Sequence, residues 1–288
     1  MGSGSWKREE FRRYSASRGE ELDAADRVVS SMNIQERFKE KKIHRDLDPF
    51  KIMRECRDTK EHPGTRPVII GLDVTGSMSD VLEETARCIG TVMNNIMTAG
   101  ETVPEAKDVE FCISAYGDFA YDKAPVQFSQ FESDTRIAEH LDKVYFERGG
   151  GGNSFESTSA IWYMGSRHCD LDCWKRGKKG IIITVGDEEC PPYLPQEPLE
   201  RAAGDRLQGD VLTKDLYAEA SMKYEIHHIH VLHRWKNPLI RKTWEEAVGE
   251  QNYHETEVNG LGNLITSIVL AAGKEQTSVH AGEGLISW

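Results

Sequence analysis

Apolar positions follow two regimes along this chain. From Pro67 to Ala272, short continuous apolar runs alternate with stripes of helical period, whereas before residue 67 they are sparse among Arg, Lys, Glu and Asp. Val68-Ile69-Ile70-Gly71-Leu72 and Gly180 to Val185 are unbroken runs, the pattern of parallel strands buried on both faces. Val109 to Ala115 and Ile226 to Leu232 read as further strands, with a short edge strand at 126–128 and a last one at 253–258. Residues 79–98 place Val81, Leu82, Thr85, Cys88, Ile89, Val92 and Ile96 on one side of a helix. Other helices are expected over 134–143, 156–166, 212–224, 238–250 and 261–272. This alternation predicts an α/β fold, a doubly wound and mostly parallel sheet with helices on both faces. The chain then divides into a charged N-terminal extension (1–66), one domain (67–272) and a C-terminal tail (273–288). Within the extension, Val28, Val29, Met32, Ile34 and Phe38 predict one or two helices over 20–42. The extension either packs as an arm on the domain or on a neighbour, or is partly disordered.

Open α/β sheets bind ligands beyond the carboxyl ends of their strands. Asp73 falls there, directly after the first apolar run, and Thr75 and Ser77 follow at alternating positions around Gly76. Asp187 follows the run ending at Val185 and belongs on the same edge. The glycine run Gly149 to Gly152 leads into Asn153 and Ser154, which can bring a further side-chain oxygen to it. A carboxylate with two hydroxyls suits a hard, oxygen-seeking cation such as Mg²⁺. The plainer reading of the first loop is a helix N-cap by Ser77 or Ser79.

Leu72-Asp73-Val74-Thr75-Gly76-Ser77-Met78-Ser79 resembles the Asp-x-Ser/Thr-x-Ser opening motif of von Willebrand factor A (vWA) domains, their metal-ion-dependent adhesion site. The glycine-rich loop is similar to that family's third-ligand loop, and Val185-Gly186-Asp187 to its closing Asp loop. The resemblance covers roughly residues 67–272 and implies a Rossmann-like vWA fold. It also implies a metal site of Asp73, Thr75, Ser77, Asn153 or Ser154, and Asp187, holding Mg²⁺, or Mn²⁺ or Ca²⁺. The implied function is protein–protein binding through a partner's Asp or Glu, without catalysis. The sequence style resembles prokaryotic and phage members, some of which work beside MoxR-type ATPases or in assemblies. The chain departs from the pattern in having Asn153-Ser154 where the family has Thr. It also carries Glu188 and Glu189 after Asp187, which either make the site more negative or are simply solvated. Asp118, at the end of the 109–115 strand, is a candidate outer group.

Composition narrows the alternatives. The formal net charge is −12, which argues against a broad basic face for nucleic acid. No apolar run approaches the roughly 18 residues of a membrane span, and no apolar stretch follows the N-terminus as a secretory signal would. Cys56, Cys88, Cys112, Cys169, Cys173 and Cys190 therefore read as reduced thiols of a cytoplasmic protein. The rival enzyme reading is a haloacid dehalogenase-like phosphotransferase with Asp73 as nucleophile and Lys178 or Lys179 neutralising charge. Against it stand the long helix in place of a flap and Pro191 in place of that family's second Asp. His168, Cys169, Cys173 and Cys190 lack the second ligand pair of a structural zinc site. His227, His228 and His230 read as strand residues, and His233-Arg234-Trp235 as part of a partner surface.

Overall fold

The computed structural model describes residues 4–30, 34–103, 106–147, 154–232 and 237–281. In chain order the elements are α1 (Arg8–Ser17), α2 (Ile34–Arg37), β1 (Arg54–Cys56), β2 (Arg66–Asp73), α3 (Ser79–Gly100), β3 (Val109–Tyr116) and β4 (Val126–Phe128). There follow α4 (Arg136–Asp142), α5 (Ala160–Arg167), β5 (Cys169–Leu171), α6 (Asp172–Lys175), β6 (Gly180–Gly186), β7 (Tyr193–Leu194) and α7 (Gln196–Ala203). The chain closes with β8 (Val211–Leu212), α8 (Thr213–Ser221), β9 (Tyr224–Val231), α9 (Pro238–Val248), β10 (Tyr253–Thr256) and α10 (Leu261–Ala281).

Among the described residues, six strands form the central sheet in the order β10-β9-β6-β2-β3-β4. All pairs are parallel except β3 with β4. Every residue of β2, β3 and β6 is buried, as expected of central strands covered on both faces. Side chains alternate between two cores. Val68, Ile70, Leu72, Ile181 and Ile183 join the core shared with α3, α4 and α10, while Ile69, Cys112, Ile182 and Ile226 face the core of α5, α8 and α9. The expected doubly wound architecture is therefore present, with helices on both faces. Among the described residues no helix is long and apolar enough to cross a membrane.

Local chemistry explains several boundaries. α9 begins where the Asn237 side chain accepts from the Leu239 amide (3.0 Å) and Pro238 takes the first helical position. α7 ends at Gly204, whose φ of 82° is left-handed.

The N-terminal residues build part of the first core. Trp6, Phe11, Phe38 and Leu47 are buried in it. Phe11 lies over Gly90 of α3 so closely that a Cβ there would sit 2.2 Å from the ring and 2.6 Å from the Asp26 carbonyl oxygen. β1 pairs in parallel with β5, and Arg54 donates to the Phe128 carbonyl (2.6 Å) beside the sheet's antiparallel edge. The structure differs from the sequence reading here. The helix lies at 8–17, and among the described residues of 20–42 only Ile34–Arg37 is helical. Val28 is buried through a bridge to Leu22, while Val29 is 53% exposed. Met32 lies outside the described residues.

Candidate metal-binding site

Asp73 ends β2 opposite Tyr116 of β3, and Leu72 pairs with Val185 of β6, so three strands deliver their carboxyl ends to one point. The chain then turns tightly. The Val74 amide donates to the Tyr116 carbonyl (2.9 Å), and the Thr75 amide and hydroxyl both donate to Asp73 Oδ1 (2.8 and 2.6 Å). Ser77 Oγ donates to Asp187 Oδ1 (3.2 Å) and lies 3.4 Å from Thr75 Oγ1. These oxygens run from the floor of a crevice to its mouth: Asp73 and Thr75 are buried, Ser77 is exposed, and Asp187 lies between. The sequence-predicted residues Asp73, Thr75, Ser77 and Asp187 are thus brought together. The helix-cap reading fails, since α3 is capped by Met78 with no side-chain bond, so neither Ser77 nor Ser79 is engaged that way.

Asp73 Oδ2 is fully buried and has no hydrogen-bond partner among the described residues. A buried carboxylate oxygen without a donor is costly, and a cation is the partner that the surrounding oxygens can share. Burial pushes the Asp73 carboxyl up to about 8, with the charges of Asp187 and Glu188 adding to the shift against the hydrogen bonds of Thr75. Among the described residues no three His, Cys, Asp or Glu side chains form a ready cage. The set here mixes carboxylate with hydroxyl, which leaves coordination positions for water or a foreign oxygen.

The sequence reading missed Glu156. It places a helix at 156–166, but α5 starts at Ala160, and residues 154–159 lie against the crevice as a loop. The Ser157 amide donates to the Gly117 carbonyl (3.0 Å), Ser157 Oγ accepts from the Phe119 amide (3.0 Å), and Phe155 bridges Glu189. Glu156 is 6% exposed and its Oε2 has no hydrogen-bond partner among the described residues. Burial, then repulsion from Asp73, Asp118, Asp122 and Glu188, pushes its carboxyl up to about 9. The available signal was a lone Glu in the Ser-rich stretch after the glycines. Of the two candidates named for this loop, Ser154 is exposed and its carbonyl accepts from the Glu189 amide (3.2 Å). Asn153 lies outside the described residues, as do Gly149 to Gly152 and His233-Arg234-Trp235.

Glu188 and Glu189 are both partly exposed. Glu188 is raised to about 6 by burial and by the charges of Asp187 and Glu189, and Glu189 accepts from Asn237 Nδ2 (3.0 Å). Asp118 is 3% exposed and acts electrostatically on Glu156. The crevice thus gathers Asp73, Asp118, Glu156, Asp187 and Glu188 around a few hydroxyls.

Gly186 permits this crowding. A Cβ there would lie 2.4 Å from Tyr116 Oη, which donates to the Val185 carbonyl (2.9 Å), and 3.6 Å from Asp73 Oδ2. Gly186→Ala is expected to cost about 1–3 kcal/mol by overpacking, read as a lower urea midpoint; an unchanged midpoint would show that Tyr116 has room to yield.

The rival constellations fare differently. Lys178 and Lys179 precede β6 at its amino end, roughly 20 Å of strand from the Asp73 edge, and Lys179 Nζ donates to the Ser221 carbonyl (2.7 Å). They do not serve Asp73 as a charge-neutralising lysine. His168 is engaged by the Ile52 carbonyl (3.0 Å) and by Asp205 (2.7 Å), and burial pushes the Cys169 and Cys173 thiols up, away from metal-binding thiolates. His228 and His230 share a face, with His228 stacked on Trp244 at 3.5 Å and His230 bonded to Tyr253; His227 points the other way, to His254. All six cysteines are unpaired.

What the fold and site define is an α/β sheet with an acidic, hydroxyl-lined crevice at its carboxyl edge. No protein-family model and no curated protein matches the sequence. Among solved structures, the chain is similar to the pilus adhesin SpaC from Lactobacillus rhamnosus GG (TM-score 0.49, 13% identity, 74% of this chain), of which it spans 31%. It is also similar to the vWF domain of the type V pili tip protein Mfa5 from Porphyromonas gingivalis (TM-score 0.45, 11% identity, 77% of this chain and 98% of that one). A third likeness is to proximal thread matrix protein 1 from the mussel byssus (TM-score 0.46, 10% identity, 73% and 46%). At these values the likeness concerns the outline of the fold and carries nothing about function.

Proposed function

We propose that this chain is a vWA-type protein-binding module that holds a divalent cation at the carboxyl edge of its sheet and binds a partner carboxylate there. The observation that carries the reading is the orphaned, fully buried Asp73 Oδ2 beneath Thr75, Ser77 and Asp187. Asp73, Thr75, Ser77 and Asp187 would hold the ion, directly or through water, with Glu156 and a side chain of the 153–154 loop as further donors. Mg²⁺ is the first candidate, with Mn²⁺ or Ca²⁺ as alternatives. When bound, the cation supplies positive charge and open positions that a foreign Asp or Glu can fill. The chain's own residues do the rest. Thr75 fixes the Asp73 carboxylate, Ser77 and Asp187 fix each other at the mouth, and Tyr116 anchors the loop behind them. The partner fits an assembly subunit or a MoxR-type ATPase in a cytoplasmic, prokaryotic or phage setting, with binding rather than turnover as the activity.

Calorimetry with Mg²⁺ is expected to show one site that Asp73→Ala abolishes. Proteins captured from an extract in Mg²⁺ should be released by chelator and not captured by Thr75→Ala, with an unchanged urea midpoint showing that this variant is folded. Capture indifferent to both would overturn the reading.

A further inference from the structure

Beside the acidic crevice lies a groove of about 480 Å³ with the opposite character. It is lined by Lys41, Lys42, Arg45 and Lys123 around Tyr145, with Asp48 its one carboxylate. The four cations are exposed. Lys41, Lys42 and Lys123 have no carboxylate partner among the described residues, and Arg45 reaches Asp46 at 3.5 Å. Two links join groove to crevice. The Lys123 amide donates to Glu147 Oε1 (3.1 Å), and the Glu147 amide donates to the carbonyl of Val74, between Asp73 and Thr75 (3.2 Å). Tyr145, on the groove wall, is two residues before Glu147, about 7 Å of chain.

We propose that this groove binds an acidic segment of the partner protein, next to the carboxylate that the crevice captures; the inference rests on the reading of the crevice as a cation-dependent binding site. The charge balance argues for it. The chain carries −12 overall, so an acidic partner is repelled by most of the surface, and four cations beside the crevice mark where its approach is favoured. The same balance disfavours a nucleic-acid backbone, which needs a broad basic face. The groove is small enough to seat a few side chains of one extended segment. Tyr145 gives their stems an apolar wall, while the lysines sit at the rim, where charge sets encounter and register more than depth of binding.

The test uses the full chain and a fluorescently labelled Glu/Gly peptide, with a Gln/Gly peptide as control, followed by anisotropy in Mg²⁺ at low and physiological salt. The wild type should bind the Glu peptide, more weakly as salt rises. Lys41→Gln/Lys42→Gln/Lys123→Gln should lose about tenfold in affinity and most of the salt dependence, with an unchanged urea midpoint because these side chains are exposed. Asp73→Ala should lose the Mg²⁺-dependent increment and keep a salt-sensitive remainder. If the triple variant binds like the wild type while Asp73→Ala does not bind, the groove proposal falls and the crevice reading stands. If the triple variant loses binding while Asp73→Ala and chelator change nothing, the groove stands and the crevice reading falls. Displacement of the peptide by polyadenylate or inorganic phosphate at lower concentration than by unlabelled peptide would overturn the choice of an acidic protein segment.

Discussion

Adding Mg²⁺ to the chelator-treated protein should raise its melting temperature, and the rise should be larger at pH 8 than at pH 5.5. The cause lies in the carboxylates of the crevice. Without a cation, burial holds a proton on Asp73 up to about pH 8 and, together with repulsion from Asp73 and its neighbours, on Glu156 up to about pH 9. The unfolded chain releases those protons near pH 4. A group whose pKa is raised by folding contributes stability that is full below its unfolded pKa and is lost as pH rises through the folded value. The cation-free protein should therefore weaken between about pH 4 and pH 9 from these groups. A cation that takes the proton's place removes that weakness, and its own binding meets less proton competition as pH rises. At a Mg²⁺ concentration one hundred times Kd, linkage is worth about 2.7 kcal/mol, roughly 5 °C for a chain of this size. Asp73→Ala should abolish the shift at every pH, and Thr75→Ala should reduce it. A shift of equal size in Asp73→Ala would place the ion elsewhere and remove the basis of the proposed function.

How far the sequence reveals this site depends on which physical signal each part leaves. The sheet was legible because a parallel strand covered on both faces must be largely apolar, and Val68 to Leu72 and Gly180 to Val185, with Thr184 its one polar residue, are. Once those runs are strands, Asp73 and Asp187 necessarily fall past their carboxyl ends, and Thr75 and Ser77 follow in the turn. Glu156 left a weaker trace. Its neighbours Ser157, Thr158 and Ser159 are buried in a loop, Ser157 and Ser159 with tertiary hydrogen bonds, and that stretch borders an apolar helix closely enough to read as its first turn. The helix boundary was four residues early for that reason, and the carboxylate was lost with it.

The N-terminal region was illegible for a different reason. α1, Arg8 to Ser17, buries only Phe11 and Ser15, so it has no stripe to read. Its place is set by single side chains against α3: Trp6 packs on Phe11 at 5.0 Å between ring centroids and donates to Asn94 Oδ1 (2.9 Å). Val28 and Phe38 mislead because their burial comes from separate tertiary contacts rather than from one helix face. β7 and β8, of two residues each, are too short for any period. In such a segment charge pairing carries the positional information, and a charge pair separated by many residues has no signature in a single sequence.

Asp26 is where that pairing is concentrated, and Asp26→Ala should destabilise the protein by about 3–4 kcal/mol. The residue is fully buried, and its carboxylate accepts from Arg8 Nε, Arg12 Nε (2.7 Å) and Asn94 Nδ2 (2.7 Å). It thereby ties α1 to α3 through one group. Burial alone would raise its pKa, but the hydrogen bonds from Arg8, Arg12 and Asn94 outweigh that and hold it below the usual carboxylate range. Arg8 and Arg12 are each 48% exposed, so on loss of Asp26 they return to water instead of remaining as buried charges. That reduces the cost below the upper range for a broken buried pair, to about 2–3 kcal/mol. Asp26 also has a φ of 62°, a left-handed conformation that Asp and Asn tolerate and that costs Ala about 1 kcal/mol more. Asp26→Asn separates the two contributions, since it keeps the backbone preference and loses the charge; it should fall between wild type and Ala. The pH dependence has the opposite sign to that of the crevice. A depressed carboxyl contributes stability above its unfolded pKa and loses it as pH falls, so the difference between wild type and Asp26→Asn should shrink below about pH 4. Urea titrations of the three proteins at neutral pH and at pH 3 measure all of this. Equal midpoints at neutral pH would mean that the apolar contacts of Trp6 and Phe11 hold the N-terminal segment without Asp26, and a difference no smaller at pH 3 than at neutral pH would assign the effect to shape and not to charge.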